Sequence, residues 1–184
     1  MFKITKLTSE ALSGQATLDK QAAVVEDIAR RVWNEHYGTI LSQGQIDYML
    51  AKFQSVDAII HQIADGYEYY IIENQLDACK AGYFSIKPSK DPDGTLKLFL
   101  SKLYILKECR GKGAGSKVFD FLEQKAAENC LEAIWLTVNK YNKESISVYQ
   151  HRGYEIVREQ VADIGNGYVM DDFIMQKTMG PKFE

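Results

Sequence analysis

The stretch Leu103-Tyr104-Ile105-Leu106-Lys107-Glu108-Cys109-Arg110-Gly111-Lys112-Gly113-Ala114-Gly115-Ser116 decides how this chain is read. Its first four residues are apolar and continue a strand-like run that begins at Thr95. Its second half carries three glycines at alternate positions. Val118, Phe119, Leu122 and Ala126 then follow at helical spacing. A strand therefore passes into a helix through a glycine-rich turn. Glycine lets main-chain N–H groups converge without a Cβ in the way. The first amides of a helix have no partner inside it, and the helix dipole favours negative charge there. Arg110 and Lys112 add formal positive charge. The run Arg110 to Ser116 is a cradle for phosphate, and a diphosphate is its natural occupant.

Two familiar phosphate loops do not match. A Walker A loop needs Gly, four residues, then Gly-Lys-Ser/Thr, whereas Gly111 is followed five places on by Ser116. A dinucleotide fingerprint needs Gly-x-Gly-x-x-Gly near the chain start. Here the third glycine comes one place early, after about 100 residues of preceding chain. The competing reading is a tight turn with incidental charges, and the flanking sequence decides between the two.

Before the turn, Phe2, Ile4 and Leu7 suggest a short strand. A helix from about Thr17 presents Val25, Ile28, Ala29, Val32 and Trp33 on one face and ends at Gly38. Ile46, Met49, Leu50 and Phe53 mark a second helix. A short apolar piece, Val56 to Ile63, ends at the Asp65-Gly66 turn. The period then shortens. Tyr67–Glu73, Ala78–Ile86 and Thr95–Leu106 read as strands, with a loop from Lys87 to Gly94 broken by Pro88, Pro92 and Asp93-Gly94. After the turn come the helix already noted, a strand Ala133–Asn139, and a helix Asn142–Arg152 closed by Gly153. Strands Tyr154–Asp163 and Tyr168–Lys177 flank a turn at Ile164–Gly167. The order β-α-α-β-β-β-α-β-α-β-β describes one α/β domain over residues 1–184: a mixed sheet of about seven strands flanked by about four helices. The crossover from Thr95 to Asn139 places two parallel strands side by side.

Composition narrows the function. Of the 184 residues, 46% are hydrophobic and 26% charged, the mix of a globular protein. The net charge of −3 comes with no basic run or basic-aromatic alternation, so no nucleic-acid partner is expected. No apolar run approaches the roughly 20 residues that span a bilayer, and Met1–Thr8 lacks a signal-peptide core. Cys79, Cys109 and Cys130 lie far apart without metal-ligand spacing. They fit reduced thiols in the cytoplasm, with no metal. Cys109 precedes Arg110 near a helix start, a setting that can lower a thiol pKa, but it is read as a structural cysteine. His36, His61 and His151 form no triad order, and His36 alone has acidic and aromatic neighbours.

The stretch Leu103 to Gly115 resembles the acetyl-CoA motif of GNAT superfamily N-acetyltransferases. Trp135-Leu136-Thr137-Val138-Asn139 with Asn142, Ser145, Tyr149 and Gly153-Tyr154 resembles that family's second signature. The resemblance implies a GNAT fold, acetyl-CoA as co-substrate and direct attack by a primary amine. It implies that the backbone at Leu103, Tyr104 and Ile105 pairs with the pantetheine arm. Arg110, Gly111, Lys112, Gly113, Ala114, Gly115 and Ser116 would hold the diphosphate, and Asn139 and Asn142 would touch the arm. Tyr149 takes the general-acid position, where a phenol of pKa about 10 suits a leaving thiolate. The Ile105 amide is the oxyanion donor. Many relatives carry a strand glutamate as base; here those places hold Phe99 and Ser101, so Ser101, Tyr104 or Glu73 acting through water is the substitute.

For the acceptor, Trp33-Asn34-Glu35-His36-Tyr37-Gly38 and Tyr168–Lys177 are similar to stretches of bacterial polyamine acetyltransferases. The substrate residues on this reading are Trp33, Glu35, His36, Tyr37, Asp171 and Asp172, and the partner is a small cationic amine. Two other readings stand beside it: a non-catalytic acyl-CoA sensor and a peptide N-acetyltransferase. A homodimer is an assembly the resemblance allows.

Overall fold

The computed structural model describes residues 1–8, 15–91 and 94–180, which places Pro92 and Asp93 of the expected loop outside the described residues. Seven strands pair into one mixed sheet in the order β1-β2-β3-β4-β5-β7-β6. They are β1 (Phe2–Lys6), β2 (Glu68–Asn74), β3 (Lys80–Lys90), β4 (Leu96–Ile105), β5 (Ala133–Asn139), β6 (Glu155–Gly165) and β7 (Tyr168–Thr178). Among the described residues there are five α-helices: α1 (Gln15–His36), α2 (Gln43–Phe53), α3 (Val56–Ala64), α4 (Ala114–Glu128) and α5 (Lys143–His151). The α/β class and the seven strands are as expected. The chain divides into two compact units, Met1–Ile86 with Lys102–Val118, and Lys87–Ser101 with Phe119–Glu184.

In the first unit, β1, β2 and β3 form an antiparallel ladder, with Ile4 opposite Ile72 and Tyr70 opposite Phe84. Helix α1 buries Ala22, Val25, Ile28, Ala29, Val32 and Trp33, the three-and-four spacing that puts one face of a helix on a core. Each fully buried aliphatic chain there is worth about 1.5–3 kcal/mol, so Ile28→Asp would break the face. The apolar piece at Val56 is a helix of its own, which raises the count from about four to five. Ser55 caps it by accepting from Ala58 N at 3.3 Å, as Ser42 caps α2 from Gln45 N at 3.3 Å. Helix α1 stops at His36, and Gly38 lies in the short 3-10 turn Tyr37–Thr39 that follows. Gly82 has a packing reason: a Cβ there would meet the Tyr104 carbonyl oxygen at 2.3 Å.

In the second unit, β4 runs parallel to β5 from Lys97 opposite Ala133 to Leu100 opposite Leu136, as the crossover demands. Strand β7 pairs antiparallel with both β5 and β6. Ile134, Leu136 and Val138 are buried along one face of β5, and Phe119, Leu122 and Ala126 along one face of α4. Two expected boundaries move. Strand β3 continues to Lys90 through the expected loop. Its ladder with β2 ends at Glu68 opposite Ile86, so the missing N–H of Pro88 costs no bond on that side. Strand β6 runs to Gly165, which shortens the turn to Asn166-Gly167, the two-residue hairpin type.

Candidate active site

In the first unit, Leu106 N donates to Ala81 O at 2.9 Å, so β4 leans on β3 at this end. Main-chain groups alternate along a strand. Leu103 and Ile105 therefore point their N–H and C=O groups away from β3. The Ile105 carbonyl accepts from Arg110 Nε at 2.9 Å, which draws the arginine back over the strand end. A 3-10 turn, Lys107–Cys109, then leads into the glycines. Gly111 and Gly113 take φ of +70° and +91°, a region that L side chains rarely adopt. A Cβ on either would meet nothing within 4 Å, so backbone geometry and not crowding calls for glycine. Ala114 opens α4, and Lys117 N to Gly113 O at 3.0 Å is a bond of its first turn. The amides of Ala114, Gly115 and Ser116 precede that ladder and meet no carbonyl of their own helix. Arg110 and Lys112 stand exposed beside them. Converging amides, a helix start and two cations fit a diphosphate.

The expected acceptor stretch lies on the same unit. The Trp33 and Tyr37 rings are 4.6 Å apart, and His36 meets Tyr37 edge-on at 4.9 Å. Trp33 is buried and packs on Tyr104 at 5.8 Å, while Tyr104 meets Tyr83 at 5.4 Å. Glu35 is exposed. Glu73, named as one candidate base, is ion-paired with Lys80 and stands opposite Lys3 in the β1–β2 ladder.

Sequence reasoning passed over Lys102. Its amine is buried, donates to Tyr69 Oη at 2.7 Å and to Gln62 Oε1, and lies 5.1 Å from the Tyr69 ring centre. Burial lowers its pKa to about 7. The signal was there: Leu98, Leu100 and Lys102 alternate on one side of β4, and the lysine stands where an inward residue belongs. Burial first, then Cys79 beside it and Glu108, push the pKa of the Cys109 thiol up, and Lys112 offsets little.

In the second unit, Asn142 caps α5 by accepting from Ser145 N at 3.2 Å, and Asn139 Oδ1 accepts from Tyr141 N at 3.0 Å. Both side-chain carbonyls thus serve the turn that launches α5. Tyr149 lies on that helix, half-buried, its ring 6.0 Å from Phe119 and 5.8 Å from Tyr154. Tyr154 is buried, its hydroxyl has no hydrogen-bond partner among the described residues, and burial holds its pKa above the usual phenol range. Phe99 stacks on Trp135 at 4.1 Å, and Trp135 Nε1 donates to Ser89 Oγ at 2.9 Å.

The two aspartates of the tail differ. Asp171 Oδ1 lies 2.5 Å from Lys140 Nζ, which also reaches Glu159 at 2.8 Å. Its charge is answered within the chain. Asp172 is buried opposite Asn139, and burial and then Asp171 push its pKa up to about 6. Neither is the exposed carboxylate expected of a polycation receptor. Among the described residues no group of three or more His, Cys, Asp or Glu could hold a metal ion, and no helix is long and apolar enough to cross a membrane.

The glycine turn at a strand-to-helix junction and the second signature on β5 and α5 define an α/β acyltransferase class. The model of the acetyltransferase (GNAT) family matches residues 26–154, and the chain belongs to that family. It is an N-acetyltransferase that uses acetyl-CoA as co-substrate. An uncharacterized N-acetyltransferase from the pepI 3' region of Lactobacillus delbrueckii subsp. lactis is 26% identical over 159 residues, 83% of this chain and 88% of its own. The S-alkylcysteine N-acetyltransferase of Bacillus subtilis is 31% identical over 97 residues, 51% of each chain. The PaiA N-acetyltransferase of Thermoplasma acidophilum, solved with coenzyme A, shares the fold at a TM-score of 0.74. It is 19% identical and covers 97% of this chain and 99% of that one.

Proposed function

We propose that the protein acetylates a primary amine of a small molecule, with the diphosphate of acetyl-CoA held at Arg110–Ser116. The observation that carries this reading is the pair of left-handed glycines at the uncapped start of α4. Leu103 and Ile105 offer main-chain groups to the pantetheine arm as an added strand would. The Ile105 N–H donates to the oxyanion, and Tyr149 delivers its proton to the leaving thiolate. Asn139 and Asn142 hold the turn that places Tyr149.

The acceptor is read from the Trp33–Tyr37 stretch. Aromatic faces beside an exposed carboxylate, Glu35, suit an alkylammonium group. A polyamine remains the reading drawn from the sequence resemblance, although Asp171 is answered by Lys140 and Asp172 is buried. A second reading, an α-amino acid acceptor, is favoured by the similarity to the S-alkylcysteine enzyme. Thiol release from acetyl-CoA with spermidine, a simple monoamine, S-methylcysteine and a lysine peptide tests all of them. A small amine is expected to be preferred over the peptide. Preference for the peptide would overturn the small-molecule reading.

A further inference from the structure

Two of the three cysteines, 30 positions apart in the sequence, meet in the first unit. Cys79 is a near neighbour of Cys109 and, after burial, helps to push that thiol's pKa up. The fold explains the meeting. Leu106 N bonds Ala81 O, so the start of β3 lies beside the end of β4. Cys79 stands two residues before Ala81. Cys109 stands three after Leu106, and its own N–H returns to Leu106 O at 2.9 Å. Cys79 is half-buried and Cys109 is buried, so one thiol is open to a reagent and the other waits behind it. We propose that Cys79 and Cys109 are a reversible dithiol–disulfide site that controls the neighbouring diphosphate cradle.

The oxidant is a small-molecule disulfide such as glutathione disulfide. The Cys79 thiolate, its proton released to solvent, attacks one sulfur of that disulfide. A Cys79 mixed disulfide forms, and one small thiolate leaves and takes up a proton. Cys109 then loses its proton, attacks the Cys79 sulfur and expels the second small thiolate, which is protonated in turn. Two protein thiols are oxidised, one disulfide is reduced to two thiols, and the balance closes.

The bridge reaches the cradle through Cys109, which stands next to Arg110. The Cys79 backbone is pinned: its N–H donates to Asp77 Oδ1 at 3.0 Å, and its carbonyl accepts from Asn74 N at 2.9 Å. Neighbouring sulfurs must close to about 2.05 Å to bond. Cys109 is the last residue of the Lys107–Cys109 turn and the one before Arg110, so its share of that movement passes into the cradle. The turn bond from Arg110 N to Lys107 O, at 3.2 Å, and the reach of Arg110 Nε to Ile105 O, at 2.9 Å, are what it would disturb. Oxidation therefore displaces Arg110 and lowers affinity for acetyl-CoA.

The test is to incubate the full chain with glutathione disulfide, alkylate the remaining thiols, and map the peptides without reduction. Calorimetry with acetyl-CoA follows on the same samples. The expected result is a Cys79–Cys109 linked peptide and an affinity lower by about fivefold or more, the low end of ordinary coupling between sites. Dithiothreitol should restore the affinity, and Cys79→Ser should keep its reduced-state affinity after the same treatment. Two free thiols, separate glutathione adducts without a bridge, or a bridge with unchanged affinity would each overturn the proposal. The bridge is read from peptides alone and the cradle from the reduced protein, so failure of one is distinguishable from failure of the other.

Discussion

Two helices of this chain begin in opposite ways. Helix α5 follows Asn142, whose side chain accepts from Ser145 N and fills the first turn from within the chain. Helix α4 follows Gly113, which has no side chain to cap with, and the preceding glycine is also left-handed. Both helices start with orphan amides, as every helix does. In α5 the chain answers them, and the closed start holds Tyr149 about two turns further on. In α4 they face Arg110 and Lys112, and on the proposed reading the diphosphate of acetyl-CoA would complete the cap. One side chain at one position separates a helix start closed from within the chain from one left open to a ligand.

The largest effect should come from closing the open start. Gly113→Asp sets a carboxylate among the amides and strains a φ of +91°. Acetyl-CoA affinity should fall by about a hundredfold or more, the loss of at least one charge-assisted bond with added repulsion. Calorimetry on a variant whose circular dichroism is unchanged reads this. Unchanged affinity would erase the contrast between the two helices.

On the closed side, Tyr149→Phe should leave acetyl-CoA affinity alone and cut turnover by about ten- to a thousandfold, the usual range for a general acid. Tyr154→Phe removes the neighbouring phenol and should cost much less. Near-normal turnover in Tyr149→Phe would make that ring one more member of the Phe119–Tyr154 cluster. Steady-state kinetics of the two variants separates the outcomes.

Lys102 sharpens the comparison inside the first unit. Its folded-state pKa of about 7 lies below the usual 10.5, so unfolding takes up a proton between those values. Stability of the native chain should then rise with pH from about 7 towards 10.5, by an amount on the order of a few kcal/mol. In Lys102→Met that slope should vanish, and urea melts at pH 7 and 9 would show it. Equal slopes in both proteins would mean that the amine is solvated.

The smallest effect belongs to the cap. Asn142→Ala should cost about 1 kcal/mol, or roughly 2–4 °C in Tm, and Asn142→Asp should cost little because aspartate caps as well. If the two variants melt alike, Asn142 is not acting as a cap.

Much of this was legible in the sequence because the relevant forces are local. The alternation Ile134, Leu136, Val138 marked β5 to the residue, and Val25 to Trp33 marked the buried face of α1. The glycine turn was legible because a strand-like run before it and helical spacing after it frame three alternating glycines. Local reading failed where a partner from elsewhere decides the outcome. Pro88 sits in β3 because the β2 ladder has already ended there. Asp171 looked like a free carboxylate until the fold set Lys140 beside it. The Cys79–Cys109 proximity depends on the end of β4 meeting the start of β3, which no spacing announces. Lys102 was the exception, since its place in an inward-facing alternation was written in the strand itself.

The most direct test is to follow backbone amide resonances of the isotope-labelled chain as coenzyme A is added. The account predicts that the largest shifts fall on Gly111, Lys112, Gly113, Ala114, Gly115 and Ser116, whose amides would bond the diphosphate. Saturation with those six resonances unmoved, and the large shifts elsewhere, would contradict it.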